Sequence, residues 1–541
     1  MRIHAAVFLT VLAASLCQAQ VNKSNLTGIV RDGTGAAVAG ASVKVHNTGT
    51  GATRQENTDT SGLYRLSQLD NGVYRIEVEM AGFKRFVQEN VQLVTGETIT
   101  IDVALELGAL SESVTITGEA ALLRTESGSV GTTVNRQIVN ELPLIGRNPY
   151  VFLVLSPGIQ YTGSPTAINP WDTFGPSDFS SSGSEARSEF LLDGMPNMRL
   201  ETVAFSPSPD AVEEMRVQTN AYDAEYGHSG ASFVNVSTKG GTNVLHGALY
   251  WYHRNDNLNA NSFFNNRNGR PKGERKQNTY GFAISGPVHL PKLYKGRDKT
   301  HFFADYEGTQ IRSAGFARAI VPTALERQGD FSATADRFGR PFTIYDPATT
   351  RAEGNGFVRS PFAGNRIPSA RFDPVTTSAI KFYPEPNKPQ TVNDLQNFER
   401  QQPSALEWGS FTTRIDHQIS SSHNLFFRFG WNQRDDPSTP FYGECCRAAG
   451  NPTSGQDEFE RGNEAVGLGY TWIRSARTVV DFRLGVNRYT SANIMYGEGF
   501  DAKQLGFPSS FADAVGYRTF PRFETTGDVE NLGAGRTAAA K

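Results

Sequence analysis

Cysteine is scarce in this chain, which has three cysteines among 541 residues. Disulfides therefore cannot form the framework of the fold, and the chain must rely on packed apolar side chains and backbone hydrogen bonds. Cys17 falls within the first twenty residues, whereas Cys445 and Cys446 are adjacent to each other. For this adjacent pair two interpretations stay open, a strained vicinal disulfide and two thiols without a role.

Uninterrupted apolar segments are also missing beyond the first twenty residues. No internal run approaches the roughly 18 apolar residues that identify a transmembrane helix, and the mean hydropathy is −0.40. The net charge of −3 offers no excess of basic side chains for a nucleic-acid backbone. The composition argues against a helical membrane protein, and no nucleic acid is expected as a partner.

Motifs for metal binding and catalysis are absent as well. The nine histidines are scattered, and no HxxE or HExxH spacing occurs, so no zinc site is predicted. Four carboxylates could be paired for acid–base work, namely Asp193, Asp210, Glu213 and Glu214. Their positions after a strand and at a helix start favour turn and capping roles. Residues 225–228 could form a nucleophile or metal cluster, but a packing role is favoured. We therefore predict no catalytic residue, no cofactor and no enzymatic activity.

The first twenty residues contain the longest apolar run of the chain. Arg2 precedes the apolar residues 5–16, and small residues precede a cleavage site close to Ala19. This pattern is typical of a secretory signal peptide. We assign it to residues 1–20.

Residues 21–108 alternate short extended runs with turn residues. The runs have high β propensity and are separated by turn pairs such as Asp32-Gly33. Apolar residues recur at every second position, as in Val43 and Val45. This spacing of short strands predicts a small β-sandwich.

The same stretch resembles the carboxypeptidase regulatory-like domain, a transthyretin-like sandwich of the carbohydrate-binding-like class. The resemblance is carried by GIVRDGTGAAVAGASVKV and by TDTSGLYRLSQLDNGVYRIEVEMAGFK. It implies a fold and not a peptidase activity, because the zinc-binding motifs are absent. It leaves open whether the sandwich is a periplasmic spacer or contacts a carbohydrate.

A short β-prone strand, SESVTITG, lies in the linker of residues 109–119. It resembles a TonB box, the segment that an energy-transducing protein of the inner membrane captures by strand addition. The corresponding residues are Ser113, Val114, Thr115, Ile116 and Thr117. Because backbone hydrogen bonds dominate such binding, the motif has low specificity. The alternative is a plain linker strand with no sandwich left to join.

Residues 120–242 have a mixed pattern of short helices and strands. Helices are predicted at residues 135–140 and 148–155, and strands at residues 190–192, 215–219 and 232–238. Asp193-Gly194 ends the first of these strands, and Ser208 is typical of a helix N-cap because proline and an acidic residue follow it. The segments ELPLIGRNPYVFLVLSPGI and SEFLLDGMPN resemble the plug domain of TonB-dependent receptors.

Residues 243–541 contain seven runs in which apolar and polar residues alternate. They lie near residues 245–251, 280–284, 302–306, 411–419, 424–432, 466–472 and 480–486. Each run has about 9–11 residues, which suits a tilted strand that crosses a bilayer. Long and short connections alternate, as in outer-membrane barrels with long outer loops. The longest loop is predicted at residues 312–409, and it is expected outside the cell together with the loop that contains Cys445 and Cys446.

This order of segments resembles the Oar-like subgroup of TonB-dependent receptors. The match continues through RNDNLNANSFF, YGFAISGPV and KTHFFADYEG. The predicted fold is therefore mostly β, with a transthyretin-like sandwich, a mixed α/β plug and part of a transmembrane antiparallel barrel. Barrels of this family have about twenty-two strands, so we expect the seven strands to form an open, curved sheet beside the plug. We therefore expect either that the gene product is truncated or that only its front half is present here.

The resemblance implies a TonB-dependent outer-membrane receptor or transporter for an unidentified substrate, with a carbohydrate and a metal chelate as candidates. Its partners are then a TonB-type protein of the inner membrane, the lipid of the outer membrane and the substrate. The sandwich and the plug are expected on the periplasmic side. The alternative function is that of an Oar-like surface protein for adhesion or carbohydrate binding without transport.

Overall fold

The computed structural model describes residues 23–109, 112–116, 131–144, 146–163, 169–171, 178–181, 188–199, 202–219, 231–336, 338–391, 394–437, 439–450, 458–475, 478–524 and 531–533. The predicted signal peptide lies outside these residues. Within them the fold is mostly β, as the sequence predicts. The helices of the described residues are too short or too polar to cross a membrane.

The first nine strands form an N-terminal module, residues 23–116. They are β1 Ser24–Asp32, β2 Ser42–Asn47, β3 Thr53–Asn57, β4 Leu63–Leu69, β5 Gly72–Glu79, β6 Arg85–Leu93, β7 Thr98–Thr100, β8 Val103–Leu105 and β9 Ser113–Ile116. β1 pairs with β4, β7 and β8 in one sheet, and the second sheet has the order β3-β2-β5-β6-β9. Val43 and Ile76 of the second sheet share one apolar core with Leu26 and Tyr64 of the first. The alternation read in the sequence places these side chains inward.

A middle module follows at residues 131–239. Its elements are β10 Gly131–Asn135, α1 Arg136–Glu141, a 3-10 helix Pro149–Leu155, β11 Ile159–Tyr161, β12 Phe179–Ser181, β13 Glu189–Leu192, β14 Met195–Pro196, β15 Met198–Arg199, β16 Thr202–Val203, a 3-10 turn Pro209–Ala211, β17 Val212–Thr219 and β18 Ser232–Thr238. The main sheet has the order β10-β17-β18-β13-β14. Both predicted helices begin at asparagine caps, Asn135 and Asn148, although the second is a 3-10 helix.

The rest of the chain forms a large antiparallel sheet with the order β19-β20-β23-β26-β27-β28-β29. The strands of this region are β19 His246–Asn255, β20 Glu274–Pro287, β21 His289–Leu290, β22 Tyr294–Lys295, β23 Thr300–Ala319, β24 Arg351–Glu353, β25 Gly356–Val358, β26 Phe398–Ser420, β27 His423–Asp436, β28 Glu458–Ser475 and β29 Thr478–Ile494. Among the described residues β19 and β29 do not pair with each other. The sheet is therefore open, as expected.

The strands of the large sheet are longer than the sequence pattern predicts. β26 has 23 residues and β23 has 20, against the predicted 9–11. Arg312 pairs with Ala405 and Ala319 pairs with Phe398, so the expected loop at residues 312–409 is wrong at both ends and spans residues 320–397. The apolar alternation covers only part of each strand, whereas backbone pairing continues beyond it with more polar side chains.

The large sheet buries its polar face and exposes its apolar face. Leu484 is 52% exposed and Val486 is 55% exposed. On the opposite face Asp305, Thr412 and Asn432 are buried. This distribution is the reverse of a water-soluble protein and is typical of a sheet whose outer side contacts lipid.

Two connections of the large sheet, β23–β26 and β27–β28, pack with the segment after β29 into a loop cluster with an apolar core. The core residues are Ala317, Ala319, Val321, Ala379, Tyr383, Phe398, Phe441, Tyr442, Cys446, Ala449, Leu505, Phe520 and Leu532. The helices of the connections and of the segment after β29 are α2 Phe263–Arg267, α3 Pro374–Ala379 and α4 Ser509–Ala512, with 3-10 turns at Asp256–Leu258, Glu326–Gln328, Pro347–Thr349, Ala363–Asn365, Ser369–Arg371, Ile380–Phe382, Glu444–Ala449 and Ala502–Leu505. The long connections are thus packed against one another.

Candidate functional site

Asp193 is the centre of a buried group of charges between the middle module and the large sheet. Its side chain is 1% exposed. Its carboxylate accepts a hydrogen bond from Arg414 at 3.0 Å and lies 3.5 Å from Nε of Arg428. Arg483 donates to its backbone carbonyl at 3.1 Å. These arginines belong to β26, β27 and β29, so one turn of the middle module binds three strands of the large sheet.

The position of Asp193 follows from a tight hairpin between β13 and β14. Asp193 and Gly194 connect these strands with φ angles of 51° and 73°, as in a two-residue type I′ turn. Aspartate tolerates this left-handed conformation and glycine adopts it freely. The Asp193 carboxylate also accepts hydrogen bonds from N and Oγ1 of Thr238, at 2.9 and 2.8 Å. The turn thereby ties the end of β18 to the same group of charges.

A second group of charges surrounds Arg147, which lies just before the 3-10 helix Pro149–Leu155. Its guanidinium forms ion pairs with Asp210 of the middle module and with Glu307 of β23. Tyr250 donates a hydrogen bond to Glu307 at 2.9 Å. Burial alone would lower the pKa of Arg147, but Glu307, Tyr250 and Asp210 together outweigh burial, and the pKa lies above its ordinary value. Arg147 is therefore a permanent positive charge between the two parts.

Ser208 makes a third contact between the same two parts. Its hydroxyl accepts a hydrogen bond from N of Ala211 at 3.2 Å and donates one to Asp305 at 2.6 Å. The predicted cap is thus confirmed, although it begins a single 3-10 turn, Pro209–Ala211, instead of a longer helix. Asp210 lies in this turn, as predicted for a helix-start acid.

The middle module has an apolar core of its own. Its buried members include Val139, Tyr150, Phe190, Val217 and Val236. Among the described residues, the large sheet contributes one buried residue to this cluster, Ala465. The module is therefore held together by apolar packing, whereas it meets the large sheet through the charged and polar groups above and a smaller apolar cluster of Trp171 with Ile311 and Trp408. Charged groups regain hydration when two faces separate, so such a contact resists separation less than an apolar one does.

The N-terminal module binds the middle module through the turn between β6 and β7. N of Thr95 donates to Glu214 at 2.8 Å, and Arg216 donates to the carbonyl of Thr95 at 2.9 Å. Burial raises the pKa of Glu214 above its ordinary value, although the hydrogen bonds from Thr95 oppose this change. One turn of the first module is therefore fixed to β17 of the second.

The N-terminal module also contacts the rim of the large sheet. N of Asn243 donates to the carbonyl of Gly49 at 2.8 Å. A Cβ atom at Gly51 would lie 2.1 Å from Oδ1 of Asp298, so only glycine allows this approach. A polar cavity of about 100 Å³ lies where the three parts meet, and its lining includes Lys23, Asp70, Arg414 and Arg483.

The TonB-box-like residues form the edge strand of the N-terminal module. β9 pairs in parallel with β6, from Ser113 opposite Arg85 to Ile116 opposite Gln88. The interpretation that no sandwich is left for this strand to join is therefore wrong. β6 offers a free edge because β7 and β8 pair with β1 in the other sheet. Val114 and Thr115 lie within β9, whereas Thr117 lies outside the described residues.

The four carboxylates singled out in the sequence do not come together as a catalytic group. Asp193 binds arginines of the large sheet, Asp210 binds Arg147 and Glu214 binds the N-terminal module. Within the described ranges, no group of three or more histidines, cysteines and carboxylates is placed to hold a metal ion. Residues 225–228 lie outside the described residues.

The sequence pattern alone does not reveal which residues of the large sheet pair with these charges. Asp305 and Glu307 alternate with the apolar residues Phe302, Ala304 and Tyr306. Charged side chains at alternate positions of a membrane strand are a signal for a polar interior. The signal was present, but it does not say which charge of the middle module each residue meets.

Comparison with known families follows the same division of the chain. Residues 237–541, more than half of the chain, match the model of the outer membrane beta barrel domain. The chain belongs to this family. Residues 25–106 match the carboxypeptidase regulatory-like domain, which confirms the resemblance seen in the sequence. The family places the protein in the outer membrane.

One curated protein and two solved structures are similar to parts of this outer membrane beta barrel protein. The TonB-dependent transporter Oar of Myxococcus xanthus is 26% identical over 280 residues, which cover 48% of this chain and 24% of that homologue. The outer membrane transporter YddB from Escherichia coli has a TM-score of 0.40 and 10% identity, over 68% of this chain and 40% of its own. A mutant of the ferric enterobactin receptor PfeA from Pseudomonas aeruginosa has a TM-score of 0.36 and 12% identity, over 72% of this chain and 44% of its own. The chain thus matches less than half the length of each.

Proposed function

We propose that the chain forms the gated part of a TonB-dependent outer-membrane transporter for an unidentified substrate. The middle module acts as the plug, and it lies with the N-terminal module toward the periplasm. The observation that supports this proposal is the contrast between the extended apolar core inside the middle module and the buried ion pairs at its contact with the large sheet. A part that must move as a unit needs cohesion within itself and a separable contact with its surroundings.

The force for such a movement comes from a TonB-type protein of the inner membrane. The outer edge of β9 pairs with no strand among the described residues, so an extended segment of the partner can add to it through backbone hydrogen bonds. β9 is paired with β6, and β6 ends two residues before Thr95, which binds Glu214 and Arg216 of the middle module. A pull on β9 therefore reaches the plug through the N-terminal module.

A binding experiment tests the role of β9. The full chain in detergent is mixed with the purified periplasmic domain of a TonB-type protein, and the complex is measured by calorimetry. Replacing both Ser113 and Thr115 with proline should abolish binding, because their backbone N–H groups lie on the outer edge of β9 and proline removes them. The matched control, Ser113→Thr with Thr115→Ser, should bind as the original chain does. Equal binding by the proline variant contradicts the proposal.

Tag accessibility tests the proposed orientation. Tags inserted at residue 355 and at residue 444 should be labelled on intact cells. These positions lie in the two long connections, β23–β26 and β27–β28, that contribute to the loop cluster. A tag at Ser421, in the short turn between β26 and β27, should be labelled only after the outer membrane is opened. The reverse pattern would contradict the orientation.

Growth assays address the substrate, for which a carbohydrate and a metal chelate are the candidates. Cells with and without the full-length gene are compared on single carbon sources and single iron sources. A growth defect that is reproduced by deleting residues 113–117 indicates transport through the partner. A defect in adhesion alone, unchanged by that deletion, would favour the surface-protein alternative.

A further inference from the structure

The adjacent cysteines lie at the centre of the loop cluster. Cys445 and Cys446 belong to the 3-10 segment Glu444–Ala449, in the connection between β27 and β28. Their Sγ atoms are 2.7 Å apart, closer than the roughly 3.5–4.0 Å at which non-bonded heavy atoms attract best. Cys445 also donates a weak hydrogen bond to the carbonyl of Tyr442 at 3.5 Å. The turn therefore holds the two sulfur atoms against each other.

The two thiols differ in their access to solvent. Cys446 is 3% exposed and packs in the apolar core with Phe441, Tyr442 and Ala449, whereas Cys445 is exposed. Burial raises the pKa of Cys446 to about 12. An incoming oxidant therefore meets Cys445 first, and Cys446 is placed to react only with its neighbour.

Other partners for these thiols are lacking in the described part of the chain. The described residues contain no third cysteine and no cluster that could hold a metal ion. A protein of the outer membrane passes through the periplasm, where thiols are oxidised. Both faces of the outer membrane lie outside the reducing cytoplasm, so this reasoning does not depend on which way the loops point.

We propose that Cys445 and Cys446 form a vicinal disulfide in the exported protein. The oxidant is a disulfide of a periplasmic thiol oxidoreductase. The Cys445 thiolate attacks one sulfur of that disulfide and forms a mixed disulfide, and the other oxidoreductase sulfur leaves as a thiolate. The Cys446 thiolate then attacks Sγ of Cys445 and expels the second thiolate. The two cysteines together lose two protons and two electrons, and the oxidoreductase disulfide is reduced to a dithiol.

The disulfide constrains the conformation of the loop cluster, so reduction should loosen the cluster. It fixes the side-chain torsions of both cysteines in the turn that contributes Tyr442, Cys446 and Ala449 to the apolar core. Reduction releases this constraint and returns two polar thiols to the turn. We expect the loops of the reduced protein to be cut faster by a protease than those of the oxidised protein.

Alkylation and mass spectrometry test the bond directly. The full chain is taken from outer membranes, unfolded in acid and denaturant, and treated with iodoacetamide before or after reduction with dithiothreitol. The peptide with Cys445 and Cys446 should lack two hydrogens and take up no label before reduction, and it should take up two labels afterwards. Two labels before reduction, or a small thiol attached to Cys445, would overturn the proposal.

Limited proteolysis tests the consequence with a variant that leaves the core intact. Cys445→Ala removes the exposed thiol, whereas replacing Cys446 would also leave a cavity. Without reductant the loops of Cys445→Ala should be cut a few-fold faster than those of the original chain. Dithiothreitol should bring the original chain to the rate of the variant and leave the variant unchanged. An equal effect of dithiothreitol on both proteins would overturn the proposed consequence, and neither result bears on the proposed transport.

Discussion

The N-terminal module and the large sheet use the same sequence pattern with opposite results. In the module Val43 and Val45 alternate with polar residues and are fully buried. In the large sheet Leu484 and Val486 alternate with polar residues and are exposed. A period of two specifies that a strand has two unlike faces, and the surroundings decide which face is buried. A second sheet covers the apolar face in one case, whereas no described residue covers it in the other.

The polar faces differ as much as the apolar ones. The outward face of the N-terminal module carries residues such as Lys44, which is exposed. The polar face of the large sheet carries Asp305, Glu307 and Arg428, which are buried against the middle module. Buried charges need partners because an unpaired one is strongly destabilising. The large sheet therefore depends on the middle module more than the N-terminal module depends on either.

The largest effect is expected when this dependence is broken at Asp193. Asp193→Asn keeps the shape of the turn but leaves Arg414 and Arg428 without their shared carboxylate. Removing one partner of a buried ion pair costs about 3–5 kcal/mol, and hydrogen exchange of the β18 amides in detergent should report it. The matched control Glu460→Gln, at an exposed position of β28, should change the stability by less than about 0.5 kcal/mol. Equal protection in both variants would contradict the assignment.

A slightly smaller effect is expected from the apolar core of the N-terminal module. We expect the module, expressed as residues 21–116, to fold alone and melt cooperatively. Ile76→Ala should lower its free energy of unfolding by about 2–5 kcal/mol, because the truncation leaves a cavity among packed side chains. Lys44→Ala at an exposed position should change it by less than about 0.5 kcal/mol. A disordered circular dichroism spectrum of the original module would refute the domain boundary.

The exposed apolar face of the large sheet is tested by adding a charge, whereas the buried core of the N-terminal module is tested by removing apolar atoms. Leu484→Lys should cost about 2–4 kcal/mol in a bilayer, because the charge meets hydrocarbon, although the same change on a water-exposed face is nearly neutral. Heat-modifiable migration and protease resistance of the full-length product in outer-membrane fractions should decrease. Leu484→Ile should behave as the original chain. An unaffected lysine variant would mean that this face meets water.

The smallest effect concerns pH at the contact between the two modules. Burial raises the pKa of Glu214 above its ordinary 4.5, so the docked state holds this proton more tightly than the separated state does. Docking is then strongest below about pH 4.5 and weakens as the pH rises through the raised pKa. Glu214→Gln should remove this dependence, and Glu141→Gln should keep it. Protection of the Thr95 amide against hydrogen exchange measures the docking, and a pH dependence that survives in Glu214→Gln would contradict the assignment.

Much of the local structure could be predicted because it depends on neighbours in the sequence. The asparagine caps at residues 135 and 148, the Asp193-Gly194 turn and the cap at Ser208 all follow from side chains that bond backbone groups a few residues away. The ends of β23 and β26 could not be predicted, because backbone pairing continues beyond the apolar pattern. The sequence did not reveal that β9 belongs to the N-terminal module. β9 pairs with β6 in parallel, and parallel strands are not joined by a short turn that a sequence pattern could indicate.

The sequence by itself determined the alternating faces, the short turns and the outer membrane beta barrel and carboxypeptidase regulatory-like families. The tertiary structure decided which face of each sheet is buried, because a period of two distinguishes the faces without orienting them. It also decided the charge pairs of the candidate site. Arg414 lies 221 residues from Asp193, and no local pattern selects one arginine over another at that separation. Only the folded chain brings the turn and the three strands together.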